Sequence, residues 1–350
     1  MNPIRLGVAG CGYWAPNVVR NLLSLKDVKL TGVCDVRPER ARELAQRLAP
    51  TVPIFSDHRE LLAQELDAVC VVTPISTHFQ VAMDALRSGK HVFVEKPLAK
   101  TVEECEVLIR EAESRSLILM VGHVFEFNAA VVRIKQYLDS AHLGNLLYIY
   151  SQRVNLGRIQ NDISALWSFA PHDISIINYW LGGEPLAVSA RGLHCLGQKV
   201  EDVVFVLLEY PDGIGVHLHL GWLDPRKLRQ TTLVGTKKML VYDDVSLDSR
   251  IMIYDKGVKD LHEYMQAPSS YAEFQYQTRS GDVVIPQLKF GEPLQEECGH
   301  FIECIRTHAK PRTDGQSGLR VVRVLEAAQK SIENGGARVT LAAQAIPARV

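Results

Sequence analysis

Residues 1–123 alternate short apolar runs with amphipathic stretches. IRLGVAG (4–10) is an apolar run of strand length. PNVVRNLLSL (16–25) carries apolar residues at helical spacing and opens on a proline suited to a first turn. KLTGVCD, AVCVVTP, KHVFVEK and LILMVGH repeat the strand pattern, and RPERARELAQRL, THFQVAMDALRSG and TVEECEVLIREAESRS repeat the helical one. In the last, Thr101 and Glu104 stand in capping-box register. Strand–helix alternation with short connections predicts a parallel sheet covered by helices on both faces.

After about residue 124 the rhythm changes. FNAAVVRIKQYLDS reads as a helix and LLYIYSQRVN as a long strand. SALWSFAPHDISIINYWLGG reads as helical in its second half, from His172, and ends at two glycines. Residues 186–255 run strand after strand, with PDG (211–213) and DKG (255–257) as turn signals. QEECGHFIECIRTH and LRVVRVLEAAQKSIENGG are closing helices. The expected architecture is α/β: a doubly wound parallel sheet over 1–123, then an α+β domain over 124–350 with a large, open, mostly antiparallel sheet.

Totals narrow the function classes. A chain of 350 residues suits two domains. A formal net charge of −1 sets up no global field for nucleic acid. No apolar run approaches the roughly 18–20 residues that span a bilayer. The N-terminus breaks on glycines too soon for a secretory leader. Seven widely spaced cysteines without a CxxC point to a reducing, cytoplasmic setting.

The first strand runs into Gly10-Cys11-Gly12-Tyr13-Trp14-Ala15, a match to G-x-G-x-x-G/A. Gly10 permits a tight turn, and Gly12 lets backbone approach a pyrophosphate. The helix that follows aims free N–H groups at it. Tyr13 and Trp14 fall within this turn. Asp35 ends the second strand, where a carboxylate accepts from both adenosine-ribose hydroxyls and repels a 2′-phosphate. NAD is therefore expected over NADP. Arg37 works either way, stacking on adenine or pairing a 2′-phosphate. The alternative is a plain glycine turn beside a capping aspartate.

This turn, Asp35, VVTPISTH (71–78) and VEKPLAK (94–100) together resemble the Gfo/Idh/MocA oxidoreductases. GYWAPN, SQRVNLG, LWSFAPHDIS, LVGTKKMLVYDD and TDGQSGLRVVRVLEAA extend the resemblance over essentially the whole chain, toward members that oxidise nucleotide-sugars at C3. By that resemblance Thr73, Pro74 and His78 line the nicotinamide half of the pocket. Glu95 holds the nicotinamide ribose, and Lys96 reaches the substrate hydroxyl beside a cis bond to Pro97. His172 stands where the family keeps its catalytic base, and a histidine suits that task near neutral pH. Asp173 either orients His172 or caps its helix, and is counted with the substrate site. Trp167 either closes over the nicotinamide or belongs to the core. Arg153 and Arg158 are candidates for a substrate diphosphate. One departure stands out: inositol-oxidising members carry an aspartate four residues before the histidine, and here that residue is Ser168, which argues against inositol. Without the resemblance, Glu95-Lys96-Pro97 is a solvated strand end and turn.

The implied reaction is NAD-dependent oxidation of a sugar hydroxyl, at C3 of UDP-N-acetylglucosamine, giving a 3-keto sugar for an aminotransferase in lipid A or polysaccharide assembly. The alternatives are an NADPH-dependent 3-ketoreductase of a dTDP-deoxysugar and a non-catalytic dinucleotide sensor. A homodimer or homotetramer is expected through the open sheet, with no nucleic acid and no membrane as partner. Cys298, Phe301, Ile302 and Ile305 share a helical face, so QEECGHFIECIRTH reads as core rather than a metal site, with Glu297 and His300 turned toward the substrate pocket. His217 and His219 alternate with Val216, Leu218 and Leu220, as a two-faced strand does.

Overall fold

A computed structural model describes residues 2–157, 163–197, 199–258, 278–289 and 291–341. The chain forms two compact units, Met1–Asn128 with Phe290–Glu326, and Ala129–Lys289 with Ala327–Val350.

In the first unit, β1 (Ile4–Ala9), β2 (Val28–Cys34), β3 (Ile54–Phe55), β4 (Ala68–Val71), β5 (His91–Glu95) and β6 (Leu119–Gly122) form one sheet in the order β3-β2-β1-β4-β5-β6. Every pairing is parallel. This is the dinucleotide-fold order, whose reversal between β1 and β4 opens a crevice at the strands' carboxyl ends. Both faces are apolar because both are covered. On one, Cys70 and Phe93 pack with α1 (Ala15–Ser24), α2 (Pro38–Leu48) and α8 (Pro293–Thr307). On the other, Val69, Val71 and Val94 pack with α3 (His58–Leu62), α4 (Ile75–Arg87) and α5 (Val102–Ser114). The capping box forms in part: Thr101 Oγ1 accepts from Glu104 N at 3.1 Å, while Glu104 Oε2 accepts from Lys100 N at 3.0 Å.

The boundary expected after residue 123 needs correction. Residues 291–326 return to the first unit, because α8 covers a sheet face that α1 and α2 leave open. Phe301 is 1% exposed and its ring lies 5.8 Å from that of Phe93. Burying a side chain of this size stabilises by roughly 1.5–3 kcal/mol. Linear order gave no hint of the return.

In the second unit, a nine-stranded sheet runs β14 (Thr278–Val284), β13 (Ile251–Val258), β12 (Met239–Asp243), β11 (Leu228–Gly235), β7 (Leu146–Val154), β10 (Gly215–Gly221), β9 (Val203–Glu209), β8 (Ala187–Leu193) and β15 (Val339–Thr340). Among the described residues only β7 and β10 pair in parallel. One face is buried through Ile149, Val206, Leu218 and Leu233, under α7 (Ala165–Leu181), against which α6 (Ala129–Asp139) packs. Trp180 ties these helices, donating its indole N–H to Val131 O at 2.9 Å.

Two local readings change. DKG is not a turn: β13 runs through it, with an irregularity between Tyr254 and Lys256 that absorbs the glycine-bearing stretch. α7 does not begin at His172 either. Ser164 caps it, accepting from Trp167 N at 3.5 Å, and Pro171 lies inside the helix. The proline removes the donor that the Trp167 carbonyl would use, yet the flanking apolar residues hold the helix together. Asp173 is therefore not a helix cap.

Candidate active site

The glycine turn is built by close approach. Gly10 has φ +97°, and a Cβ there would stand 2.5 Å from the carbonyl carbon and oxygen of Val72. No other residue fits between β1 and the end of β4. Gly12 is the opposite case: a Cβ there would meet nothing within 4 Å, so its backbone faces open space. No side chain caps the following helix α1. Asp35 is nearly buried and hangs over the turn, its Oδ2 accepting from Cys11 N at 2.8 Å and its Oδ1 from Arg37 N at 2.9 Å. Arg37 and Tyr13 are exposed, and Trp14 is half-buried. A snug turn, an open glycine, an uncapped helix start and a fixed carboxylate fit a dinucleotide.

Beyond β4, the His78 ring is buried between two carbonyls, 2.8 Å from Pro97 O and 2.8 Å from Thr73 O. Burial lowers its pKa against the pull of those carbonyls, so the ring is neutral and donates to one of them. His78 thus joins the loop after β4, with Thr73 and Pro74, to the Glu95-Lys96-Pro97 turn. The Lys96–Pro97 peptide is cis.

Glu95 Oε1 accepts from the Trp14 indole N–H at 2.7 Å, and Oε2 from Lys96 N at 3.3 Å. A Cβ on Gly122 would stand 3.1 Å from Oε2, so the neighbouring strand leaves the carboxylate just enough room. Burial raises the Glu95 pKa, while Lys96, the Trp14 bond and the Lys96 backbone bond oppose the rise. Behind it lie Glu297, His123 and Glu126, all buried. Burial first, then Glu95 and Glu126, pushes Glu297 well above the ordinary carboxylate range. Burial pushes Glu126 up to about 8. It also lowers His123 to about 3, with Lys96 and Arg320 adding to the effect. The Lys96 turn therefore rests on groups that are uncharged near neutral pH.

In the second unit, His172 is half-buried on α7, one turn after Ser168. Its neighbour Asp173 is buried and committed elsewhere. Asp173 Oδ2 accepts from Arg153 Nε at 2.6 Å, and Oδ1 from Ser151 Oγ at 2.9 Å. Ser151 continues to Thr231 Oγ1 at 2.9 Å. Burial opposes the Arg153 charge, but Asp173 outweighs it and the Arg153 pKa rises. Arg153 and Asp173 are a structural pair beneath the His172 turn, not free groups for a diphosphate. Trp167 donates its indole N–H to Gln329 Oε1 at 3.3 Å. Arg158 lies outside the described residues. No group of three or more His, Cys, Asp or Glu among the described residues is placed to hold a metal.

Two family models match the chain. Residues 4–123 match the oxidoreductase family with an NAD-binding Rossmann fold, and residues 131–241 match the GFO/IDH/MocA C-terminal domain. The chain belongs to the Gfo/Idh/MocA oxidoreductase family. It is 34% identical over 199 residues to a UDP-N-acetylglucosamine 3-dehydrogenase of Acidithiobacillus ferrooxidans, a match covering 57% of this chain and 61% of that protein. A solved structure of that enzyme superposes with a TM-score of 0.79 at 26% identity, covering 95% of this chain and 99% of that one. A myo-inositol 2-dehydrogenase of Thermotoga maritima is 23% identical over 94% of this chain and 96% of its own. The WlbA dehydrogenase of Bordetella pertussis, solved in complex with NADH and UDP-GlcNAcA, shares the fold with a TM-score of 0.79 at 22% identity, covering 98% of this chain and 100% of that one.

Nothing in the sequence singles out His123 and Glu126, which are buried near Lys96 and Glu297 respectively. Neither belongs to a spaced motif. The available signal was positional: His123 directly follows β6, the strand paired with β5, at the carboxyl edge where such sheets bind ligands. Glu297, expected to face the substrate pocket, is fully buried in the first unit. His300 instead accepts from Arg312 N at 2.9 Å through Nε2.

Proposed function

We propose that this protein oxidises one hydroxyl of a sugar with NAD as acceptor, and that the sugar is UDP-N-acetylglucosamine, oxidised at C3. The observation that carries the reading is the 34% identity to the UDP-N-acetylglucosamine 3-dehydrogenase, joined to the Gly10–Asp35 and Glu95–Lys96 geometry. The nicotinamide supplies the hydride acceptor. Gly10, Gly12 and the start of α1 hold the pyrophosphate, and Asp35 holds the adenosine ribose and disfavours a 2′-phosphate. Glu95 accepts from the nicotinamide ribose. Lys96 donates to the sugar oxygen as negative charge develops on it, and His172 takes the hydroxyl proton. The 3-keto product suits an aminotransferase.

A panel of UDP-N-acetylglucosamine, UDP-glucose and myo-inositol, each with NAD⁺ and with NADP⁺, tests this by following cofactor reduction. Reduction with UDP-N-acetylglucosamine and NAD⁺ should exceed the other pairs by about tenfold or more. An equal response to UDP-glucose overturns the acetamido specificity, and a preference for NADP⁺ overturns the role of Asp35.

The open sheet face supports self-association. Tyr150, His217 and Leu207 lie side by side across β7, β10 and β9, and Phe205 stacks on His219 at 4.7 Å. Tyr148, Tyr150, Phe205 and Leu207 are all exposed there. A contiguous apolar face of this kind marks an interface. Sedimentation should find a dimer or tetramer, and Tyr150→Glu should release monomer. A wild-type protein that sediments as a monomer at micromolar concentration sinks this assignment.

A further inference from the structure

We propose that Trp14 is a positioning residue for the cofactor: its indole N–H, donated to Glu95, holds the carboxylate in its slot and ties the glycine turn to the Lys96 turn. This rests on the cofactor reading above. Two aromatic residues stand side by side in the glycine turn, and they do different things. Tyr13 is 81% exposed, whereas Trp14 is half-buried and reaches Glu95, 81 positions along the chain, at 2.7 Å. The slot is narrow, because a Cβ on Gly122 would stand 3.1 Å from Oε2. Oε1 is held by the indole and Oε2 by Lys96 N. An indole is a donor only, so it cannot turn a lone pair toward the carboxylate as a hydroxyl can. It therefore favours the ionised form of Glu95, the form able to accept from two ribose hydroxyls.

The direction of the pH effect follows. Lys96 on the turn, Cys70 on β4, and Glu297 and Cys298 on α8 face Glu95. Of these, only Lys96 favours its charge. Burial raises the Glu95 pKa, and the Trp14 bond lowers it. Removing the bond leaves burial less opposed, so Glu95 takes up its proton at a higher pH.

Two readouts test this without turnover. The first is NADH binding by Trp14→Phe across pH 5.5–8.5. NADH should weaken by about tenfold at the acid end and by less than about twofold at the alkaline end. The second is the Trp14 indole ¹H–¹⁵N resonance of the cofactor-free protein. It should titrate with Glu95 and move upfield in Glu95→Gln, where a neutral amide replaces the carboxylate. An acid limb of NADH binding unchanged in Trp14→Phe, or a Trp14 resonance indifferent to Glu95→Gln, overturns the proposal. If Trp14→Phe fails to fold, the resonance decides alone. A wild-type protein that binds no NADH refutes the cofactor reading instead, and leaves the indole resonance to judge the Trp14–Glu95 bond.

Discussion

Lys96→Met should cut turnover by about 10²–10³-fold, the loss typical of removing one donor to a developing oxyanion. NADH should still bind at pH 8. Methionine keeps most of the length and apolar stem of lysine, so the test removes a charge and a donor rather than a volume. Binding should not survive at every pH, however. The Lys96 charge is the largest influence opposing the burial of Glu95. Without it the Glu95 pKa climbs further, and the carboxylate is neutralised earlier as pH falls. NADH affinity should therefore be close to wild type on the alkaline side and drop sooner on the acid side. Measuring kcat and the NADH dissociation constant between pH 6 and 9 separates the two effects. A Lys96→Met enzyme with near-normal kcat at pH 8 removes Lys96 from the mechanism.

The titratable groups buried near Lys96 are largely held uncharged. His123 is held neutral by burial, Lys96 and Arg320, and Glu297 is held protonated by burial, Glu95 and Glu126. Of the carboxyls buried there, Glu95 is the one held toward its ionised form by direct hydrogen bonds from Trp14 and Lys96 N. Buried carboxyls next to one another divide their protons in this way, since two close charges cost more than one.

Much of this unit was legible in the chain. Strands buried on both faces read as continuous apolar runs, and the glycine turn with Asp35 carries its own geometry. The Glu95-Lys96-Pro97 turn could be placed because it ends a strand. What was not legible depends on contacts between distant residues. Trp14 and Glu95 are 81 positions apart, and nothing in G-x-G-x-x-A says which of its two aromatic residues turns inward. The return of α8 rests on Phe301 meeting Phe93, a contact with no local signature. Pro171 misled in the other direction. It is a strong local breaker signal, overridden by the Ser164 cap and the apolar face of α7.

Arg153→Ala should destabilise the second unit by about 3–5 kcal/mol, the usual cost of leaving one partner of a buried ion pair alone. Arg153 and Asp173 are 5% and 3% exposed, so solvent cannot replace the lost partner. Ser151 would remain as a donor to Asp173, but one hydroxyl does not neutralise a buried carboxylate. Arg153→Lys should recover only part of the loss, because an ammonium cannot reproduce the forked contact of Nε and Nη2 with the two carboxylate oxygens. The double variant Arg153→Met with Asp173→Leu should be less damaging than Arg153→Ala, since it removes both charges together. Denaturant unfolding of the three variants supplies the test, with the fluorescence of Trp180 and Trp222 in the second unit as the probe. An Arg153→Ala midpoint equal to wild type would mean the pair contributes nothing. Asp173 directly follows His172 on α7, so the same substitution should also lower kcat in whatever fraction remains folded. If stability falls while kcat per folded molecule stays at the wild-type value, the pair supports the fold without orienting His172.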